Sequence, residues 1–144
     1  MKKTVCWLVS LFLVFILALT GCGATLTEAA NLEQYEMSGD VIPSITSVVG
    51  EREVTGVEAA TSNGVATRQY TYSSATVYDD LLAYVNKLLE DGWLVTQAID
   101  LNIVPGSGEL GMKSVDDGQI LLVSLSYEDS KYVIKLTKGK GTIE

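Results

Sequence analysis

Four pairs of adjacent carboxylates could, by residue type, serve as acid catalysts or metal ligands. They are Asp79 with Asp80, Glu90 with Asp91, Asp116 with Asp117, and Glu128 with Asp129. A glycosidase needs two carboxyl groups that face each other across a cleft at about 5 to 9 Å, and calcium needs six or more converging oxygens. The spaced calcium-loop pattern D-x-[DN]-x-[DN]-G is missing. Turns and helix ends account for every pair, so we predict solvated structural carboxylates and no metal site.

A glycine motif at residues 106–111 reads Gly-Ser-Gly-Glu-Leu-Gly and matches the G-x-G-x-x-G pattern of dinucleotide sites. Glu128 or Asp129 follows near the spacing of a ribose-binding acid. Such a site requires the glycines to open a helix whose N-terminus receives the pyrophosphate. Residues 112–117 are expected to continue as strand and turn. We therefore predict a loop after Pro105 and no bound cofactor.

Serine nucleophiles lack their usual partner because the chain contains no histidine, which also removes the commonest general base and zinc ligand. The serines are numerous, notably Ser73, Ser74, Ser107, Ser114, Ser124 and Ser126. A Ser-Lys pair remains formally open, but Lys113 and Ser114 are neighbours on an expected strand, so their side chains point to opposite faces. No S-x-x-K motif is present. We predict no catalytic residue and expect that the protein is not an enzyme.

The elements that position these residues are predicted to form one α+β domain over residues 45–144, in the order β-β-β-α-β-β-β-β. Alternating and β-branched patterns indicate strands at Ile45 to Val49, Arg52 to Ala60, Val65 to Ser73, Trp93 to Leu101, Glu109 to Val115, Gln119 to Tyr127 and Lys131 to Thr137. Asn63 and Gly64 form the expected hairpin turn, because both positions accept positive φ. The last three strands are expected to form an antiparallel meander.

One amphipathic helix is predicted over about residues 76–91. Its apolar residues recur at helical spacing and are Val77, Leu81, Tyr84, Val85, Leu88 and Leu89. Thr76 is the expected N-cap and Gly92 the expected left-handed stop. We predict that this helix packs on one face of a mainly antiparallel sheet. Tyr70 and Tyr72 share a strand face, and we expect them to pack in the core rather than stack on a ligand.

The first 21 residues have the layout of a signal peptide, with Lys2 and Lys3 before an uncharged apolar run at residues 5–19. This run is shorter than the roughly 20 residues that cross a hydrocarbon core. The sequence Leu-Thr-Gly-Cys that ends at Gly21 and Cys22 resembles the lipobox of bacterial lipoproteins. The resemblance covers the leader alone. It implies cleavage between Gly21 and Cys22, a diacylglyceryl group on the Cys22 sulfur and, in many bacteria, a further acyl chain such as palmitate.

Cleavage would remove Lys2 and Lys3 and change the net charge from −8 to −10. It would also remove Cys6, which leaves no pair for a disulfide. This negative net charge argues against nucleic acid binding, because such binding relies on Lys and Arg side chains that neutralise phosphates. An anionic membrane surface would repel it, so we expect membrane attachment through lipid on Cys22.

Residues 22–44 are small and polar and contain no Lys or Arg. They are predicted to be a flexible acidic tether with a root-mean-square span of about 25 Å. Pro43 marks the expected start of the domain that follows.

Together these patterns predict an extracytoplasmic lipoprotein, attached to the cell membrane or, in a host with two membranes, to the outer membrane. The expected function is non-enzymatic binding of a protein or of cell-wall material. The alternatives are a surface hydrolase of glycans or peptides that uses carboxylates assembled by the fold, and an inhibitor or accessory subunit of another enzyme. The ligand and the oligomeric state stay open at this stage.

Overall fold

A computed structural model describes residue 26 and residues 28–144 of the chain. In chain order the elements are β1 (Gln34–Met37), β2 (Asp40–Pro43), α1 (Ile45–Val49), β3 (Glu53–Ser62), β4 (Val65–Ser73), α2 (Val77–Glu90), β5 (Leu94–Gln97), β6 (Gly106–Lys113), β7 (Gln119–Tyr127) and β8 (Lys131–Lys140). The predicted α+β class, a mainly antiparallel sheet with a helix, is confirmed.

The main sheet has six antiparallel strands in the order β3-β4-β8-β7-β6-β5. Strands β3 and β4 form a hairpin whose turn residues Asn63 and Gly64 have φ of 52° and 77°, as a two-residue turn requires. Helix α2 then carries the chain to the far edge strand β5. The meander from β5 to β8 returns across the sheet until β8 pairs with β4. Strands β3 and β5 are therefore the two edges.

One face of this sheet is buried beneath the two helices and the β1-β2 hairpin. Its buried side chains are Tyr70, Tyr72, Leu110, Leu121, Val123, Leu125, Tyr127, Tyr132, Ile134 and Leu136. Helix α2 contributes Val77, Leu81, Tyr84, Val85 and Leu88 to the same core. The expectation that Tyr70 and Tyr72 pack in the core is confirmed. Leu89, expected on the apolar side of the helix, is 43% exposed.

The prediction of a flexible tether over residues 22–44 is wrong for residues 28–44. Strands β1 and β2 pair over this range, and Tyr35 and Ile42 are fully buried. The Tyr35 ring stacks on Tyr70 of the main sheet with ring centroids 4.5 Å apart. Apolar residues alternate here with exposed polar ones, as in Tyr35, Glu36 and Met37, so few apolar residues suffice to make a half-buried hairpin. Pro43 lies within β2 and does not mark a domain start.

The strand expected at Ile45 to Val49 is the short helix α1. Its residues are β-branched, but Ser44 caps the helix by accepting a hydrogen bond from the Ser47 N–H at 3.1 Å. Gly50, with φ of 86°, ends it. Of the strand expected from Trp93 to Leu101, only Leu94–Gln97 pairs with β6.

Candidate functional site

The predicted lipid-attachment residue Cys22 and the predicted cleavage position at Gly21 lie outside the described residues, as does the rest of the predicted leader. Among the residues that the structure does describe, no helix is long and apolar enough to cross a membrane. The lipobox expectation therefore rests on sequence.

The glycine motif lies in strand β6 and not at the start of a helix. Its glycines leave room for neighbouring side chains. A Cβ on Gly106 would lie 2.5 Å from the Tyr127 ring, and a Cβ on Gly108 would collide with the side chain of Ile99. The loop expected after Pro105 is thus a strand from Gly106 onward. The glycines of this motif allow close packing within the sheet. A pyrophosphate site would instead need them at the start of a helix.

Asp80 is a buried carboxylate in the first turn of α2, 2% exposed. The Arg52 guanidinium donates two hydrogen bonds to this carboxylate, from Nε to Oδ2 and from Nη2 to Oδ1, and both donor–acceptor distances are 2.8 Å. The hydroxyls of Ser74, Thr76 and Tyr132 also donate to the Asp80 carboxylate, at donor–acceptor distances of 2.7, 3.0 and 3.1 Å. Burial by itself raises the pKa of Asp80, but the hydrogen bonds from Arg52, Ser74 and Thr76 outweigh burial and lower it. Thr76 precedes α2 as predicted, yet its hydroxyl binds this carboxylate and not a backbone N–H.

Four tyrosine rings continue from Asp80 through the core. Tyr132 stacks on Tyr72 at 5.5 Å between centroids, Tyr72 on Tyr70 at 6.5 Å, and Tyr70 on Tyr35. The Tyr35 and Tyr72 hydroxyls share a hydrogen bond of 2.6 Å. Burial raises the pKa of Tyr72 to about 12 and raises that of Tyr35 well above its ordinary value. The Tyr35 and Tyr72 hydroxyls therefore stay protonated at physiological pH.

Lys138 is a buried cation on β8, 3% exposed. Its Nζ lies 2.8 Å from Asp40 Oδ2 and 2.6 Å from Asp116 Oδ2. It also donates to the carbonyl oxygens of Ser38 at 2.7 Å and Met37 at 3.3 Å. Hydrogen bonds to Asp116 and Asp40 raise the pKa of Lys138. The cluster joins the β1-β2 hairpin to the turn between β6 and β7.

Ser114 lies next to this cluster. It is the serine whose surroundings most resemble the Ser-Lys pair considered in the sequence analysis. Ser114 Oγ donates to Asp40 Oδ2 over 2.6 Å, and the Val115 N–H donates to Oδ1 over 2.8 Å. Burial raises the pKa of Asp40, but hydrogen bonds from Lys138 and Ser114 outweigh it and lower the pKa. A lysine that activates a serine must be neutral, whereas two carboxylates keep Lys138 protonated. The arrangement suits charge pairing and not nucleophile activation.

A surface cleft of about 280 Å³ brings members of two carboxylate pairs together. It lies between the start of α2, the loop after β5 and the β7-β8 turn, and is lined by Ala75, Thr76, Val77, Tyr78, Asp79, Leu101, Val104, Tyr127, Glu128 and Asp129. Glu128 also forms an exposed ion pair with Lys131, at 3.5 Å. Within the described part of the chain, no three His, Cys, Asp or Glu residues are placed to hold a metal ion. This cleft can accept a polar or cationic group.

The second face of the six-stranded sheet carries mainly polar side chains. Strand register aligns Glu58, Gln69, Lys135, Ser124 and Glu109 in one row across five strands. Ser124 Oγ and Thr96 Oγ1 each donate to Glu109 over 2.8 Å. The sequence did not indicate this row, because it depends on the strand order. Alternation of serines along β7 was the available signal that this face is polar.

The edge strand β3 is exposed over its distal half. Residues 58–62 are all exposed, and β3 pairs with β4 alone among the described strands. The opposite edge strand, β5, has only four residues. The sequence predicted β3 as a strand but could not place it at an edge.

Comparison of the chain with protein-family models, with curated proteins and with solved structures finds no match in any of the three. The fold and the polar clusters define a small α+β protein, and its function has to be inferred from its own residues.

Proposed function

We propose that this protein is a non-enzymatic binding or accessory module, held by lipid on Cys22 at the extracytoplasmic face of the cell membrane, or at the outer membrane of a host that has two. The observation that carries the binding role is the exposed side of the sheet. Both helices α1 and α2 lie on one face, while a polar second face and the ten-residue edge β3 remain accessible. Exposed sheet faces and edges are common recognition surfaces.

The buried charges support a non-catalytic role because they bind one another. Asp80 accepts five hydrogen bonds from within the chain. Lys138 binds two carboxylates and two carbonyl oxygens. Both groups join segments that are distant in sequence, which is a structural use of charge.

The position of the folded hairpin sets how far the domain can stand from a lipid on Cys22. Five residues lie between Cys22 and Glu28, and even a fully extended chain over those six steps spans only about 20 Å. This maximum distance between Cys22 and the domain is shorter than the root-mean-square span of about 25 Å expected for the predicted tether. The domain would therefore meet partners close to the membrane surface, and lipid would hold it there despite its negative charge.

The anchor is tested by metabolic labelling with a fatty-acid analogue, followed by cell fractionation. Cys22→Ser should lose the label and leave the mature membrane fraction. Cys6→Ser is the matched control, since it removes the other cysteine of the chain and should keep both label and location. Unchanged labelling of Cys22→Ser would contradict the anchor.

The binding role is tested by crosslinking on intact cells, with wild type compared against Cys22→Ser. A binding module should yield a defined partner that is captured only when the protein is at the membrane. Identification of that partner also separates a simple binding role from that of an inhibitor or accessory subunit of an enzyme. Absence of any captured protein or cell-wall fragment would contradict the proposal.

The second candidate is a surface hydrolase of glycans or peptides, and the cleft that Asp79, Glu128 and Asp129 line favours it. Two of these carboxylates would have to act as acid and base. Incubation with cell-wall glycan and peptide fragments tests it. Turnover that Asp129→Asn abolishes, and that Asp117→Asn in the turn at the other end of β7 leaves intact, would establish the hydrolase and overturn the non-enzymatic role.

A further inference from the structure

The outer side of β3 offers backbone groups for a further strand. The tight turn at Asn63 and Gly64 makes Ser62 and Val65 a hydrogen-bonded pair. Because bonded and non-bonded residues alternate along an antiparallel strand, the N–H and C=O groups of residues 57, 59 and 61 point away from β4. The Thr67 hydroxyl, which donates to the Ala60 carbonyl over 3.4 Å, agrees with this alternation.

The two edges of the sheet differ in how they are protected against strand addition. Strand β5 is four residues long and irregular in register between Val95 and Gln97. Strand β3 is regular over residues 56–62 and contains no Lys, Arg or Pro. Natural edges are usually blocked by shortness, bulges, lysine or proline. These devices protect β5 and are missing from the distal half of β3.

A hollow of about 250 Å³ lies beside the same half of β3. Its lining includes Ala59 of β3, Arg68 of β4 and Met37 of the β1-β2 hairpin. Ala59 pairs with Arg68 on the face of the hollow, whereas Glu58 pairs with Gln69 on the other face. A strand added at β3 would therefore place one side chain in the hollow and the next one beside Glu58.

Charge decides which strand fits. Strand β3 carries Glu53 and Glu58 and no cationic residue, and the whole chain has a net charge of −8. Opposite charges on neighbouring strands attract, and like charges repel. A second copy of this chain would bring another acidic β3, so a cationic segment is the better match.

We propose that β3 binds an extended segment of a partner polypeptide as a seventh strand of the sheet, with a Lys or Arg of that segment beside Glu58. This inference rests on the proposed binding function and names the class of its partner. Backbone hydrogen bonds to residues 57, 59 and 61 provide the attachment, and alternate side chains provide the selectivity. The residue next to the cation enters the hollow beside Arg68, which favours a polar or acidic side chain there.

The test titrates the full chain, purified in mild detergent, with two synthetic peptides and follows backbone amide shifts by NMR. The peptides are Thr-Val-Thr-Lys-Thr-Val-Thr and the same sequence with Glu in place of Lys. The Lys peptide should shift the amides of Val57, Ala59 and Thr61 and bind about fivefold more tightly than the Glu peptide. Glu58→Lys should reverse that preference. Equal binding of both peptides, no binding, or shifts confined to other residues would overturn the proposal.

A backbone variant tests the strand pairing itself. Ala59→Pro removes an outward N–H that β4 does not use, and proline is tolerated at such edge positions. It should abolish binding of the Lys peptide without changing the circular dichroism spectrum. Val95→Lys on the other edge is the control and should bind normally. If Ala59→Pro fails to fold, the reversal in Glu58→Lys still decides.

Two further outcomes separate this inference from the function on which it rests. If wild type and Ala59→Pro capture the same partner equally on cells, the binding role stands and the β3 site is wrong. If wild type captures nothing and binds neither peptide, both are wrong. Concentration-dependent dimerisation that Ala59→Pro abolishes would show that a second copy occupies the edge, which also overturns the proposal.

Discussion

The two buried polar networks meet strand β8 near its opposite ends and differ in how their charges are shared. Near one end Tyr132 donates to Asp80, a single anion that serves five hydrogen bonds. Near the other end Lys138 is a single cation that two carboxylates share, Asp40 and Asp116. Loss of Asp80 leaves several donors without an acceptor, whereas loss of one carboxylate at Lys138 leaves the other. The difference predicts unequal sensitivity at the two ends.

The largest effect is expected for Asp80→Ala. The substitution leaves the buried Tyr132 and Ser74 hydroxyls and the Arg52 guanidinium without their common acceptor, so we expect a loss of about 3 kcal/mol in the free energy of unfolding. Urea denaturation measures it. Asp79→Ala, at the exposed neighbouring position, should change stability by no more than about 0.5 kcal/mol. Equal losses in the two variants would contradict the role given to Asp80.

The Lys138 network should respond less, and unequally at its two carboxylates. Asp40 is 4% exposed and also accepts hydrogen bonds from Ser114 and Val115, so Asp40→Asn should cost about 2 kcal/mol. The Asp116 side chain is 52% exposed, and Asp116→Asn should cost about 0.5 kcal/mol. Urea unfolding of both variants checks this order. A larger loss in Asp116→Asn would show that the exposed carboxylate is the main partner of Lys138.

Low pH should reduce the stabilisation from both networks, at the two ends of β8. The pKa values of Asp80 and Asp40 are lowered in the folded protein from an ordinary 3.8, so the unfolded chain binds protons first as pH falls. Their stabilisation is complete above about pH 5 and is lost as pH falls below about 4 and through the folded pKa values. The gap in unfolding free energy between wild type and Asp40→Asn should therefore shrink towards pH 3. A gap independent of pH would contradict the lowered pKa of Asp40.

Both networks illustrate which parts of the structure the sequence could predict. Strands β4 and β7 and helix α2 follow from local period and turn residues, and their predicted bounds agree with the structure within one residue. The helix α1 was missed because its β-branched residues resemble a strand, although Ser44 and Gly50 carried the helix signals. The β1-β2 hairpin was missed because its apolar residues are few.

The contacts of the networks could not be predicted, because they depend on strand order and not on local pattern. Lys138 lies 101 residues from Met37, whose carbonyl it binds, and just beyond the predicted end of its strand. The carboxylate pairs were expected to be solvated and structural, yet Asp80 and Asp116 bind partners that the fold alone brings near. The exposed edge β3 likewise becomes visible only when the six strands are placed in order.

The tyrosines that connect the Asp80 network to the hairpin should have a smaller effect on stability than Asp80 or Asp40. Tyr72→Phe removes the hydroxyl that forms a hydrogen bond with Tyr35, but Tyr35 still accepts a hydrogen bond from the Ile45 N–H. We therefore expect a loss of about 1 kcal/mol in the free energy of unfolding at neutral pH.

Burial raises the pKa of Tyr72 from 10.0 to about 12 in the folded protein. Above pH 10 the unfolded wild-type chain loses the Tyr72 proton while the folded chain keeps it, so the wild type loses stability that the phenylalanine variant does not lose. The stability gap between the two should therefore narrow as pH rises from 10 towards 12, as measured by urea unfolding at each pH. A gap that stays constant over this range would mean that Tyr72 ionises as readily inside the protein as outside it, which its burial between Tyr70 and Tyr132 opposes.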